Sequence, residues 1–114
     1  MKTITLHRTG TYATAEANVE YAFKCDKRRY EPHYFIDMNG ETFTAFPYND
    51  DDINICLVGL VDDELTRGQK DSLKLLYNII KDGQNDVSIK FHERCMHNYL
   101  SDNKQQELIS YITN

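Results

Sequence analysis

The sequence lacks several features that would each assign it to a class: concentrated positive charge, paired cysteines and a long apolar run. Its net charge is −5 over 114 residues, and Lys and Arg form no stripe along any segment. Phosphate contacts need concentrated positive charge, so binding to nucleic acid or to an anionic membrane surface is disfavoured as the main function. No apolar stretch is long enough to span a bilayer.

Cysteine usage and the first residues bear on where the protein works. The three cysteines, Cys25, Cys56 and Cys95, fit poorly with a disulfide framework and favour free thiols in a reducing compartment. Cys56 lies in an apolar run, which predicts a core position. Polar residues within 2–8 interrupt any apolar signal segment after Met1. We therefore expect synthesis in the cytoplasm, with release or delivery by another route before any action outside it.

The composition is that of an ordinary globular domain. Hydrophobic residues make up 40% and charged residues 27% of the chain. A chain of 114 residues is long enough to bury a modest core without disulfides. Because no repeat, low-complexity tract or linker divides it, we predict one domain over residues 1–114 and favour a monomer.

Hydrophobic periodicity predicts an α/β fold. The predicted elements are strands at 3–7, 33–37, 42–46, 53–58 and 87–92 and helices at 14–27, 66–83 and 102–112. Capping boxes are predicted at Thr66 with Gln69 and at Asp102 with Gln105, and Gly83 is the predicted stop of the middle helix. An Asn-Gly pair at 39–40 predicts a hairpin. The order β-α-β-β-β-α-β-α predicts a mixed central sheet with helices on both faces.

Histidines are the first candidates for chemistry. His7 and His92 end two predicted strands, and His97 follows in the loop before the last helix. Ligand sites in open α/β sheets gather at the carboxyl ends of strands, so His7 and His92 reach one crevice if their strands are parallel neighbours. Three such ligands with an open fourth position are typical of a catalytic zinc site. Scattered surface or core histidines are the commoner explanation, and we interpret His33 as a structural, hydrogen-bonding residue.

Five short sequence segments, spread over most of the chain, provide the next signal. A strand-end histidine with a small polar loop stands at Leu6–Thr11, and a His-Tyr-Phe-Ile-Asp-Met-Asn-Gly hairpin at His33–Gly40. An apolar strand spans Asn54–Gly59, a Thr-x-x-Gln helix start spans Thr66–Gln69, and a second strand-end histidine lies in Ile89–Glu93. In this order and at these spacings, the segments resemble N-acetylmuramoyl-L-alanine amidases of the phage lysozyme and peptidoglycan-recognition type.

The resemblance implies a zinc hydrolase of the endolysin kind. His7 and His92 match the first two Zn²⁺ ligands of the family. The third ligand, usually Cys or Asp and sometimes His, comes from the loop before the last helix. We choose His97, which lies nearer that helix, with Cys95 as the alternative. The expected reaction cuts the amide between N-acetylmuramic acid and L-alanine in peptidoglycan or a muropeptide.

The expected catalytic residues match the family less well than the scaffold does. Phage members commonly carry a Tyr directly before the hairpin histidine, where this chain has Pro32. They also carry a Lys or Thr just before the third ligand, and Cys95 and Met96 provide neither. Tyr30 and Glu31 lie just upstream of Pro32, so Tyr30 is a candidate oxyanion donor and Glu31 a candidate general base. An exposed polar loop is the other interpretation of this pair.

These departures leave a second function open. An amidase-fold module with impaired catalysis would bind peptidoglycan or a protein partner without cutting it. A phage structural or regulatory component that reuses the fold is a third interpretation, with no direct support in the sequence.

Overall fold

The computed structural model describes residues 2–25, 30–47, 51–82, 86–97 and 99–114, without the side chains of Arg94 and His97. The elements are β1 (Lys2–Arg8), α1 (Ala15–Lys24), β2 (Tyr34–Ile36), β3 (Thr42–Thr44), β4 (Asp52–Leu57), α2 (Arg67–Lys81), β5 (Val87–Phe91), a π-helical turn (Glu93–His97) and α3 (Asp102–Thr113). The predicted order of strands and α-helices is confirmed. The π-helical turn is an addition that the sequence pattern did not predict.

The sheet brings the strand-end histidines to one edge. Its strand order is β3-β2-β4-β1-β5. β1 runs parallel to both β4 and β5, whereas β3 is antiparallel to β2, so the sheet is mixed as predicted. Leu6 pairs with Phe91 in the β1–β5 register. His7 directly follows Leu6 in the chain, and His92 directly follows Phe91. The prediction that these two strands are parallel neighbours is confirmed.

Helices cover both faces of the sheet. Successive side chains of a strand point to opposite faces, so Ile4 and Leu6 of β1 face one side and His7 faces the other. The larger core cluster joins one face to α2 and α3; its most buried members include Ile4, Leu6, Ile36, Ile53, Ile55, Leu57, Leu73 and Ile112. The smaller cluster joins the opposite face to α1 and contains Ala15, Ala22, Phe35, Ala45, Cys56 and Val58. Cys56 is 2% exposed, which confirms its predicted core position.

The helix starts show which predicted caps form. The capping box of α2 is confirmed, with the Thr66 hydroxyl accepting from the Gln69 backbone N–H and the Gln69 side chain accepting from the Thr66 N–H. The predicted box of α3 is wrong. Ser101 is the N-cap, its hydroxyl accepts from the Lys104 N–H, and Asp102 is the first helical residue. Ser at this position satisfies a free N–H of the first turn as well as Asp would.

The ends of the first two helices and the hairpin complete the comparison. Thr14 caps α1 as predicted, but the predicted helix end at residue 27 is wrong, because α1 ends at Lys24 and its C-cap Cys25 is already extended. Gly83, the predicted stop of α2, lies outside the described residues. The predicted hairpin turn forms, and Gly40 there has φ 92°. Among the described residues, no helix has the length and apolar character needed to cross a membrane.

Candidate metal centre

Potential metal ligands converge at the carboxyl edge of β1 and β5. His7 lies near the end of β1, His92 follows β5 directly, and Cys95 lies in the π-helical turn. The two imidazole centroids are 4.7 Å apart, and Nδ1 of His92 lies 3.1 Å from Sγ of Cys95. One ligand atom from each residue lies within 4.8 Å of the others. Among the described residues, this His7–His92–Cys95 group is the set that is able to hold a metal ion.

Backbone hydrogen bonds place Cys95 beside His92. The His92 N–H donates to the Leu6 carbonyl at 3.0 Å, so the β1–β5 ladder continues one residue past β5. The His92 carbonyl then accepts from the N–H groups of Cys95 at 3.4 Å and Met96 at 2.9 Å. Met96 is 2% exposed and anchors the turn in the core. Short π-helical turns of this kind occur often at functional sites, where they set the direction of a side chain.

His7 has one bonded and one unbonded ring nitrogen. Nε2 lies 2.8 Å from Oδ1 of Asn54, and Nδ2 of Asn54 donates to the Glu31 carbonyl at 3.1 Å. Nδ1 of His7 is buried and finds no hydrogen-bond partner in the described part of the chain. A buried polar atom without a partner costs about 1–3 kcal/mol. A metal ion on the Nδ1 side would remove that cost, so the residues fit a metal site.

The environment favours the neutral forms of the ring and the thiol. Burial lowers the pKa of His7 to about 4; the Asn54 hydrogen bond opposes this effect and the charge of His92 adds to it. His7 is therefore neutral at pH 7, which is the form that binds metals. Burial raises the pKa of the Cys95 thiol, although the backbone N–H of Arg8 at 3.4 Å from Sγ acts in the opposite direction. Metal binding at Cys95 would accordingly release a proton.

Tyr30 lies directly against the group. Its ring stacks on that of His7, with the centroids 3.9 Å apart and the planes 15° apart. Its hydroxyl lies 3.6 Å from Sγ of Cys56, and burial raises the pKa of the phenol well above its usual value. Tyr30 also lines a cleft of about 230 Å³ between α1 and the sheet. The side chain of Glu31 is exposed, and its backbone carbonyl takes part in the Asn54 contact.

Sequence reasoning missed Asn54. This residue lies in β4, in the run 53–58 that was predicted from its apolar character. The signal available was a carboxamide within a strand flanked by buried apolar residues, since such a polar group needs partners. Its backbone N–H donates to Nδ1 of His33 at 2.8 Å, which agrees with the structural role predicted for His33.

The third ligand predicted from the sequence cannot be located in the same way. The backbone of His97 ends the π-helical turn, but its side chain lies outside the described residues. Whether His97 is a ligand is therefore untested, whereas Cys95, the alternative, is the residue that the structure brings beside His92. The catalytic roles of Tyr30 and Glu31 also stay predictions.

Solved structures of other proteins share this fold. The N-acetylmuramoyl-L-alanine amidase LysC from Clostridium intestinale URNW matches with a TM-score of 0.72 and 19% identity over 98% of this chain and 85% of that chain. A selenomethionine AmpD derivative matches with a TM-score of 0.65 and 14% identity over 94% and 83%. PGRP-Hd from Alvinella pompejana matches with a TM-score of 0.60 and 12% identity over 85% and 78%. The chain has the amidase fold. The resemblance seen in the sequence is thus confirmed for the fold, and at these identities the chemistry of the site depends on its own residues.

No protein-family model matches the sequence, and no curated protein matches it.

Proposed function

We propose that the protein is a zinc-dependent amidase that cuts the bond between N-acetylmuramic acid and L-alanine in peptidoglycan. The observation that carries the proposal is the convergence of His7, His92 and Cys95 at one edge of an amidase-fold sheet. The substrate class is supported by LysC, which has the same fold and is named for this bond. Action on peptidoglycan would take place at the cell wall, after release or delivery of the protein.

The donor set of the proposed site suits zinc. Zn²⁺ accepts imidazole nitrogen and thiolate sulfur, and a catalytic zinc site keeps one position open for water or substrate. We propose Cys95 as the third ligand beside His7 and His92, since its sulfur lies 3.1 Å from the His92 ring. His97 is the alternative third ligand. Bound zinc would supply a Lewis acid for the carbonyl of the scissile amide.

Tyr30 and Glu31 are the proposed catalytic side chains. The raised pKa of Tyr30 means that its phenol keeps its proton at neutral pH, as a hydrogen-bond donor to a developing oxyanion must. Its place against the His7 ring supports this role, which requires the hydroxyl to turn from Cys56 toward the substrate. Glu31 follows Tyr30 in the sequence, and its exposed carboxylate is the proposed general base.

The proposal is tested with purified peptidoglycan. Zinc-loaded protein should release N-terminal alanine from the stem peptide, and His92→Ala should abolish that release because it removes a ligand. Ser88→Ala is the matched control, since Ser88 lies on β5 and is exposed. Release from the wild-type protein that does not exceed the His92→Ala background would refute the proposed activity.

A second candidate function is an amidase-fold module that binds peptidoglycan or a protein partner without cutting it. Two observations at the same site favour it: the Tyr30 hydroxyl is engaged with Cys56, and Pro32 occupies the place where phage amidases commonly carry a Tyr. Elemental analysis together with a peptidoglycan pull-down distinguishes the two functions. Full zinc occupancy and retention on peptidoglycan without alanine release would favour the binding module.

A further inference from the structure

We propose that Asn54 is a positioning residue that holds the proton of His7 on Nε2 and thereby presents Nδ1 as the metal-binding atom. The inference deepens the proposed function, because it assumes that a metal is what Nδ1 binds. Its core, the choice of one His7 tautomer by Asn54, concerns the metal-free protein.

The orientation of the Asn54 amide follows from its second partner. The Glu31 carbonyl oxygen lies 3.1 Å from one end of the amide, and a carbonyl oxygen only accepts hydrogen bonds. The end of the amide that faces Glu31 must therefore be the NH₂ group. The opposite orientation would bring two oxygens together at this distance and lose the hydrogen bond. Oδ1 consequently faces His7.

The orientation of the amide then decides the tautomer of His7. Oδ1 of Asn54 lies 2.8 Å from Nε2 of His7, and an amide oxygen also only accepts. Nε2 must carry the proton for this hydrogen bond to form. A neutral imidazole has one ring proton, so Nδ1 is left with a lone pair. The proton location is thus derived from the chain of partners Glu31, Asn54 and His7.

Nδ1 is the ring nitrogen of His7 that stays open to a metal. Nδ1 is buried and has no hydrogen-bond partner among the described residues, and His7 belongs with His92 and Cys95 to the group in which one ligand atom per residue lies within 4.8 Å of the others. The other tautomer would put a hydrogen on Nδ1, which would block metal binding there and leave Nε2 without a proton for Asn54. Partners that fix a ligand histidine through its other nitrogen commonly change metal affinity by about 10–100-fold.

Asn54 is itself held in place from both sides. Its backbone N–H donates to Nδ1 of His33 at 2.8 Å, and its side chain bonds the segment that carries Glu31. Tyr30, which directly precedes Glu31 in the chain, stacks on the His7 ring. The same short segment therefore orients the amide and limits rotation of the ring, so that a single arrangement of Nδ1 is favoured.

The first experiment determines the His7 tautomer in metal-free protein by two-dimensional ¹⁵N–¹H NMR of the histidine rings at pH 7, with His7→Gln used to assign the signals. We expect the Nε2–H tautomer alone. A protonated Nδ1, or a mixture of both tautomers, would overturn the inference. Because this measurement uses the wild-type chain, it does not depend on whether any variant at Asn54 folds.

The second experiment compares zinc affinity by chelator competition. Asn54→Leu has a similar volume but no acceptor for Nε2, and we expect its zinc affinity to fall by about 10–100-fold. Asn54→Asp keeps an acceptor there and should retain more of the affinity than Asn54→Leu. Thr5→Val is the matched control, because Thr5 pairs with Asn54 across β1 and β4. Asn54→Leu that folds and binds zinc as well as Thr5→Val would overturn the inference.

The outcomes separate this inference from the proposed function. A single Nε2–H tautomer without alanine release from peptidoglycan would refute the enzyme but leave the role of Asn54 standing. Alanine release by a protein with mixed His7 tautomers would do the reverse.

Discussion

Replacing Gly59 by alanine should destabilise the fold much more than the same replacement at Gly10. Both glycines have positive φ, +137° at Gly59 and +77° at Gly10, which L residues rarely adopt. An alanine Cβ at Gly59 would lie 2.2 Å from Nη2 and 2.9 Å from Cζ of Arg8, whereas at Gly10 no atom of the described residues would lie within 4 Å of it. Gly10→Ala therefore measures the backbone cost alone, and Gly59→Ala adds a steric clash.

The size of the difference follows from what Arg8 loses. The backbone cost at Gly10 is about 1–2 kcal/mol for a left-handed L residue. At Gly59 the strain is about 1–3 kcal/mol, and the displaced guanidinium loses its hydrogen bond from Nε to the Leu60 carbonyl, which is 3.0 Å long. A hydrogen bond from a charged group contributes about 1.5–3 kcal/mol. We therefore expect Gly59→Ala to cost about 2.5–6 kcal/mol in total.

Urea denaturation of the metal-free protein, followed by circular dichroism, measures both free energies of unfolding. The midpoint for Gly59→Ala should fall well below that for Gly10→Ala if the slopes agree. Arg8 also donates its backbone N–H to Cys95 Sγ at 3.4 Å, so zinc affinity should fall with Gly59→Ala but not with Gly10→Ala. Equal stability of the two variants would refute the described packing of Arg8 against Gly59.

Three further predictions concern the ligand set, acid stability and the last helix. Cys95→Ala should lose zinc while His97→Ala keeps it; the reverse result in equilibrium dialysis would give the ligand role to His97. The pKa of His7 falls from 6.5 to about 4 on folding, so the unfolded chain binds a proton more readily and the metal-free protein should lose about 3 kcal/mol of stability as pH falls from 6.5 to 4. The free energy of unfolding, measured by denaturation at several pH values in this range, should change less with pH for His7→Gln than for the wild-type protein. The same pH dependence in both proteins would count against a buried neutral His7. Ser101→Ala should cost about 1 kcal/mol of stability through loss of the α3 cap, whereas Asp102→Ala should cost less. Thermal unfolding compares the two variants, and a larger loss of stability for Asp102→Ala would contradict the assignment of Ser101 as the N-cap.

Most of the fold was predictable because the signals for it are local. Leu73, Leu76, Tyr77 and Ile80 recur at helical spacing, and all of them are buried in α2. Alternation of Ile4 and Leu6 gave β1, and the Asn-Gly pair gave the hairpin turn. The cap of α3 was misplaced because Ser101 and Asp102 are adjacent residues with side chains of similar capping ability. Local chemistry alone does not decide which of two such neighbours is the N-cap.

The candidate site was only partly predictable because its contacts cross the chain. His7 and His92 could be inferred from their positions at strand ends, since parallel pairing brings such residues together. The contacts that define the rest join residues far apart in sequence: His7 with Asn54, and the Arg8 backbone with Cys95. The direction of the Cys95 side chain depends on a π-helical turn, for which no periodic pattern is visible.

The segment around Pro32 shows how the site departs from the amidase pattern. Phage amidases commonly place a Tyr directly before the hairpin histidine, where this chain has a buried Pro32. Tyr30 lies two residues earlier, outside β2, and stacks on the His7 ring. Its hydroxyl is turned toward Cys56, so catalysis by Tyr30 requires a rotation that binding alone does not. The side chain at position 30 therefore separates the two candidate functions: Tyr30→Phe should abolish alanine release if the protein is an enzyme and leave retention on peptidoglycan unchanged if it is a binding module.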